Sequence, residues 1–224
     1  MTGIVPHNNK CLTGARSYFE AIHYANPDAP ATKRYTTSKL KLIDEYLRFD
    51  KEMSVLDVGC GNGIFSVRLQ ERVGMVVGAD LSKHLLRLNP LPHKLESDAT
   101  ALPCRDASFD VVFEANLLHH VKERERVISE MLRVTRRHVV FVEPNAWNPL
   151  MFAFGLVSWV ERGSLVFTPC YVRSLLDSCN VRLDGLFATG MITQNHTPAF
   201  LIPILGIFDF KFPLGEYIVA VGHK

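Results

Sequence analysis

The sequence predicts an α/β protein with a doubly wound, mainly parallel sheet and helices on both faces. Two observations carry this. Between residues 53 and 143, short apolar runs alternate with stretches of helical spacing. Strands hidden on both faces read as continuous apolar runs, and strand–helix alternation makes their sheet parallel. The second observation is a glycine-rich turn between the first apolar run and the helix after it. The right-handed crossover rule then winds the helices onto both faces.

Residues 1–36 are polar and turn-rich, with Pro6, Asn26-Pro27 and Ala29-Pro30 as breakers. Within them, 15–24 has helical spacing. A longer helix is predicted over 37–49, with Leu40, Leu42, Ile43, Tyr46 and Leu47 near one face. Strands follow at 53–58, 73–79, 93–97, 109–114 and 138–143, with helices at 64–73, 82–88 and 124–134. Ser82 is placed to cap the second of these helices. After Pro144 the pattern changes. Residues 146–168 are rich in Phe, Trp, Leu and Val without a clean period. A helix over 169–179 leads to strands at 181–189 and 216–221. Between those strands lies an apolar insert, 191–213, bracketed by Pro198, Pro203 and Pro213. An insert that long is expected to be a functional cover. The chain is expected to form one domain, 1–224, with 1–36 as an N-terminal cover segment.

Composition excludes several classes. A chain of 224 residues suits one large α/β domain. Its 47% apolar and 21% charged residues are those of an ordinary globular protein. Net charge is +2, and the clusters at 122–126 and 136–138 read as solvated helix ends, so no nucleic-acid partner is expected. The five cysteines include no CxxC pair. No disulfide framework, no metal site and a cytoplasmic location are therefore expected. The most apolar stretches, 150–160 and 199–208, fall short of the roughly 20 residues a membrane span needs.

The functional argument centres on Val55-Leu56-Asp57-Val58-Gly59-Cys60-Gly61-Asn62-Gly63. Glycines at 59, 61 and 63 allow a sharp turn at a strand's end. They also let backbone N–H groups approach a ligand that a Cβ would exclude. Asp80 ends the next strand, where a carboxylate can accept hydrogen bonds from both hydroxyls of a ribose. Asp57 precedes the first glycine. Dinucleotide sites have no need of an acid there, whereas a cofactor with a cationic amino-acid tail does.

This segment resembles motif I of the class I S-adenosylmethionine (SAM)-dependent methyltransferases. Gly78-Ala79-Asp80-Leu81-Ser82 is similar to that family's ribose-binding strand end, and Asp98-Ala99-Thr100-Ala101-Leu102-Pro103 to its adenine-contacting turn. Phe109-Asp110-Val111-Val112-Phe113 resembles its fourth strand. Leu117-Leu118-His119-His120-Val121 resembles the segment after that strand in small-molecule members, including the quinone-biosynthesis type. The similarity covers about 37–143, with a match to the last strand at 216–222. It implies a Rossmann-like seven-stranded sheet with an antiparallel strand near one edge. It also implies SAM as cofactor, S-adenosylhomocysteine (SAH) as product, and a small-molecule acceptor. Asp57, Gly59 and Gly61 would then face the methionine part, with Cys60 between them. Asp80 and Leu81 would hold the ribose, Asp98 and Ala99 the adenine, and Asn116 would lie near the methionine tail or the sulfonium.

Several residues keep two readings. Asp57 either holds the ammonium or caps the glycine turn. Cys60 reads as small packing material rather than a nucleophile. His119 and His120 are candidate general bases or packing residues, and Glu143 is a catalytic group that takes a proton, a buried structural acid or a cap for a following helix. Asn145, Trp147 and Asn148 follow at the same edge, and Tyr171 and His196 are further candidates for the acceptor pocket. The apolar segments 146–168 and 191–213 line a hydrophobic acceptor pocket or form a homodimer face. Within the insert, Phe200, Ile204 or Phe208 is expected to approach the pocket. Two other functions compete: a non-catalytic SAM-binding partner or scaffold, and a nicotinamide-dependent oxidoreductase, which leaves Asp57 and the Asp98 turn unexplained.

Overall fold

The computed structural model describes residues 26–194 and 197–224. The helix expected at 15–24 and the candidate His196 lie outside them. Helix α1 (Pro30–Leu47) starts seven residues before the expected position. Pro30 was read as a breaker, but it occupies the first turn, where its fixed φ suits a helix and its missing N–H is not needed. Tyr35, Leu40, Ile43 and Leu47 recur at helical spacing and are buried. The helix ends at Arg48, whose left-handed φ of 52° turns its N–H onto the Asp44 carbonyl.

Alternation then proceeds as expected. Strand β1 (Ser54–Val58) leads to α2 (Ile64–Gln70), then β2 (Met75–Asp80), α3 (Lys83–Leu88), β3 (Lys94–Glu96) and β4 (Phe109–Ala115). The Ser82 hydroxyl caps α3 by accepting from the Leu85 N–H at 3.3 Å. A single 3-10 turn (Leu118–His120), α4 (Arg124–Val134) and β5 (Thr135–Pro144) follow. The cluster 136–138 belongs to β5 and not to a helix end. There Arg136 donates to the Ala107 carbonyl and pairs with Asp110, which ties the start of β5 to β4. Next come α5 (Pro149–Val157), a 3-10 turn (Glu161–Val166), α6 (Pro169–Ser178), β6 (Arg182–Thr189), the short α7 (Ile202–Leu205) and β7 (Tyr217–His223).

The seven strands lie in the order β3-β2-β1-β4-β5-β7-β6. The first five run parallel, and β7 is antiparallel to both β5 and β6. Alternate residues feed two cores. Val55, Val111, Phe113, Val140 and Val219 pack against α1 and α2. Leu56, Val112, Phe141 and Ile218 pack against α4 and α6.

This topology places the loops that matter. Chain order reverses at β1, with β2 on one side and β4 on the other, so a ligand crevice opens at the carboxyl ends of those strands. Because β7 runs backwards, Thr189 and Pro144 both pair with its first residue, Tyr217. The segment after β5 and the insert between β6 and β7 therefore leave from that same edge. The insert's neck is closed by the Glu216 N–H donating to the Gly190 carbonyl at 2.8 Å.

Candidate cofactor and acceptor site

The glycine turn has the predicted conformation: Gly59, Gly61 and Gly63 have φ of 71°, 50° and 89°. Its first two N–H groups, from Gly59 and Cys60, donate to the Ala79 carbonyl and bind the turn to β2. Asp57 is 2% exposed and accepts from the Ser66 hydroxyl. Burial pushes its carboxyl up to about 7; the Ser66 bond opposes this and the nearby Asp80 adds to it. Asp80 accepts from the Gly61 N–H at 2.8 Å and the Ser82 N–H at 2.7 Å, and burial raises it too. A carboxylate has about four acceptor sites, so capacity remains for a ligand hydroxyl. Leu81 and Asp98 are exposed and Ala99 is half-buried at the same edge. Asp98 holds its turn by accepting from the Thr100 N–H and hydroxyl, both at 2.8 Å. The Cys60 thiol is buried beside Asn89, and burial pushes its pKa up, so it stays protonated and acts as packing. The aspartates thus lie at or just beyond the ends of β1, β2 and β3 in turn along one crevice. This set of acceptors fits a cationic tail, a ribose and an exocyclic amine.

Asn116 follows β4 with a left-handed φ of 57°. Its amide nitrogen donates to the Tyr35 hydroxyl at 3.0 Å, which brings α1 to the crevice. Sequence reasoning missed Tyr35, because the helix expected from residue 37 left it in the polar N-terminal segment. Tyr217 meets the Tyr35 ring edge-on at 4.9 Å.

Glu143 organises the segment after β4. One of its carboxylate oxygens accepts from the Leu117 N–H at 3.0 Å and the Leu118 N–H at 2.6 Å. The other meets His119 Nδ1, while His119 Nε2 lies 3.1 Å from Glu161. The His119 and Glu143 side chains are 1% and 2% exposed. Burial alone would lower the His119 pKa, but Glu143 and Glu161 outweigh it and push it up to about 9. The His120 ring lies against His119, tilted by 46°, with 3.8 Å between ring centroids. Burial and the neighbouring imidazolium push His120 down to about 3. Glu114 lies behind, fully buried against Glu143, and burial and that charge raise its carboxyl well above the usual range. Glu161 was not among the residues singled out from sequence, since it lies in the aperiodic stretch.

The other candidates separate. Asn145 donates to the Pro213 and Gly215 carbonyls, and Asn148 donates to Leu214 while capping α5. Both tie the post-β5 segment to the end of the insert. Tyr171 accepts from Arg124 on the α4–α6 face, away from the crevice. In the insert, Phe200 and Ile204 are 76% and 58% exposed. The residues that turn inward are Ile202 and Leu205, which pack on the α1 core, and Arg34 of α1 pairs with Asp209. Phe200, just before α7, and Ile204 within it lie on the side of this segment turned away from α1. Phe208 is half-buried in a cluster with Phe210 and Phe212. Trp147 is exposed, not core.

A sheet of this order with acids behind its first three strands is the architecture of a nucleoside-binding transferase. Comparison with known proteins agrees. Residues 56–142 match the family model described as a methyltransferase domain. The chain is 31% identical over 200 residues to the ubiquinone biosynthesis O-methyltransferase of Nitrosomonas europaea, covering 81% of this chain and 80% of that protein. A shorter stretch of 93 residues is 39% identical to the 27-O-demethylrifamycin SV methyltransferase of Amycolatopsis mediterranei, covering 37% of this chain and 34% of that one. A SAM-dependent methyltransferase of Thermotoga maritima shares the fold with a TM-score of 0.67 at 16% identity, over 87% of this chain and 91% of that one. The chain belongs to the class I SAM-dependent methyltransferases. It transfers a methyl group from SAM to a small-molecule acceptor. The oxidoreductase and scaffold readings fall with that.

Two pH effects follow. With Asp57 near 7, an ammonium at that carboxylate favours its ionised form, so binding below that pH releases a proton. SAH affinity should fall as pH drops from about 8 to about 6, and Asp57→Asn should flatten the profile. Calorimetry in buffers of different ionisation enthalpy measures the released proton; a flat wild-type profile would remove Asp57 from the site.

For His119 the folded pKa lies above the unfolded value of 6.5, so its stabilisation is complete below 6.5 and lost as pH rises through about 9. His119→Ala should lower unfolding free energy by about 3–5 kcal/mol near pH 6, since it breaks a buried pair from one side, and by less near pH 10. Urea unfolding at both pH values tests this; an equal loss at the two would contradict the ion pair.

Proposed function

We propose that the acceptor is a partly hydrophobic molecule methylated on oxygen. The observation that carries this reading is the company Asn116 keeps. From the edge where it lies emerge two segments without Asp, Glu, Lys or Arg, residues 144–160 and 185–208. A polar point rimmed by uncharged apolar chain suits a hydrophobic acceptor with one reactive polar group. The names of the Nitrosomonas relative, a ubiquinone biosynthesis O-methyltransferase, and of the Amycolatopsis relative, a 27-O-demethylrifamycin SV methyltransferase, support methylation on oxygen.

SAM supplies an activated methyl; the protein holds and orients. Asp57, Gly59, Cys60 and Gly61 form the methionine end of the site, Asp80 and Leu81 the ribose end, and Asp98 and Ala99 the adenine end. Asn116 stands between cofactor and acceptor. His119 and Glu143 are positioning residues rather than a base, because their polar atoms engage each other, Glu161 and the backbone of 117–118. A His120 pKa of about 3 makes it a poor proton acceptor at neutral pH. The insert, reaching α1 through Ile202 and Leu205, covers the acceptor side.

Asp80→Ala should weaken SAH binding by about 1.5–3 kcal/mol, the range for hydrogen bonds to a charged group. Calorimetry on the purified protein measures it, and unchanged affinity would remove Asp80 as the ribose ligand.

We also propose a cytoplasmic enzyme that acts without nucleic acid. Among the described residues no helix is long and apolar enough to cross a membrane. A homodimer would use the outer face of α5, where Leu150, Phe152, Leu156 and Val157 are exposed between Trp147 and Trp159. Light scattering should give a mass near twice 25.2 kDa. A monomer mass at all concentrations would exclude this.

A further inference from the structure

The acceptor side contains a buried cation that the cofactor residues leave unused. Lys39 of α1 is 1% exposed. Its Nζ donates to the Tyr35 carbonyl at 3.3 Å, and it sits 3.7 Å from the Tyr35 ring centroid and 4.4 Å from that of Tyr217. An ammonium has three donors, so capacity remains. Glu216, at the foot of the insert, is 5% exposed, and its Oε2 is buried with no hydrogen-bond partner among the described residues. The two side chains attract each other without forming a hydrogen bond.

Beside Lys39 a missing side chain leaves open space. A Cβ on Gly190 would lie 3.3 Å from Lys39 Nζ and within 4 Å of no other atom beyond its chain neighbours. The Gly190 carbonyl accepts from the Glu216 N–H, which holds the Glu216 backbone against the same glycine. The hydroxyl of Tyr35, whose ring Lys39 covers, reaches Asn116 at 3.0 Å. A direct buried ion pair would explain two such charges, but an unmade one is costly. The group that completes the arrangement must accept from an ammonium and donate to a carboxylate, and a hydroxyl does both.

We propose that this space receives a hydroxyl of the acceptor, between Lys39 Nζ and Glu216 Oε2, and that the pair selects phenolic acceptors. The inference rests on the reading that the acceptor lies beside Asn116. Lys39 is a specificity-determining residue, and the tyrosine rings on either side favour an aromatic partner. The groups that face Lys39 are Tyr35, Tyr217, Glu216 and, from the insert, Asp209. Burial pushes Lys39 down to about 7 and Glu216 up to about 7, each partly offset by the other's charge. Near neutral pH Lys39 therefore offers a cation for a phenol's oxygen, while the Glu216 charge opposes the phenol's ionisation.

The test uses 4-nitrophenol, whose ionised form absorbs in the visible, titrated into the protein saturated with SAH. On binding to wild type, the probe should ionise about one pH unit lower than when free. Lys39→Met should abolish that shift and weaken probe binding about tenfold, while Glu216→Gln should deepen the shift, because each removes a charge of opposite sign. A fold defect would move both variants the same way. Absence of probe binding to wild type, or the same shift in all three proteins, would overturn the proposal. Calorimetry with SAH alone on the same samples separates the two claims: failure there would sink the cofactor site, whereas normal SAH affinity with no probe response would sink only the Lys39–Glu216 assignment.

Discussion

The site depends on one buried carboxylate. Glu143, the next-to-last residue of β5, is buried. It is satisfied by the backbone of Leu117 and Leu118 and by His119. Those bonds force the chain leaving β4 to fold back over the end of β5, and that fold sets Asn116 in its left-handed conformation at the mouth of the crevice. His119 then reaches Glu161, so the turn after α5 is tied to the same point. A buried charge with this many partners stabilises one arrangement strongly and tolerates few others, because removing any partner leaves the charge uncompensated. Glu114 fits the same logic. Pressed against Glu143, its carboxyl is pushed well above the usual range, first by burial and then by that neighbour.

The reversed last strand has an equally large consequence. A purely parallel sheet would send the chain between β6 and β7 across to the opposite edge before it could return. Running β7 backwards lets the link between β6 and β7 begin and end at the ligand edge. Asn145 and Asn148 exploit this by donating to the carbonyls of 213–215, which joins the post-β5 segment to the end of the insert. The apolar segments are thus anchored by amide side chains at their feet, while their exposed faces remain free to meet acceptor or partner.

Legibility in the sequence followed the range of the interactions. The turn at 59–63, Asp57 and Asp80 could be read because strand, glycine and acid are neighbours in the chain and the geometry is local. Ser82 as a cap could be read for the same reason. Pro30 could not, since a proline breaks a helix from inside but starts one from its first turn, and only the position of the helix decides between them. Tyr35 and Lys39 were hidden because their roles come from Asn116, Gly190 and Glu216, more than 80 residues away along the chain. Glu143 had two balanced readings because its partners are backbone N–H groups on a different connection, which leave no trace in side-chain chemistry. The outward placement of Phe200 and Ile204 was illegible for a related reason. The segment is apolar on all sides, so no period tells which side α1 will cover.

The two halves of the edge now differ in electrical character. On the β1–β2–β3 side, three aspartates accept, and burial makes Asp57 and Asp80 reluctant anions that a positive ligand would relieve. On the α1–β7 side, Lys39 is a reluctant cation, held low by the same loss of water. Neither side gains by being left alone, since each keeps an ionisable group in surroundings that disfavour its charge. A methyl transfer from a sulfonium to an oxygen needs this polarity: a cation on one side and an electron-rich oxygen on the other, with little water between to screen them. The Asn116–Tyr35 hydrogen bond is the seam between the halves. It is made of neutral groups, an amide and a phenolic hydroxyl.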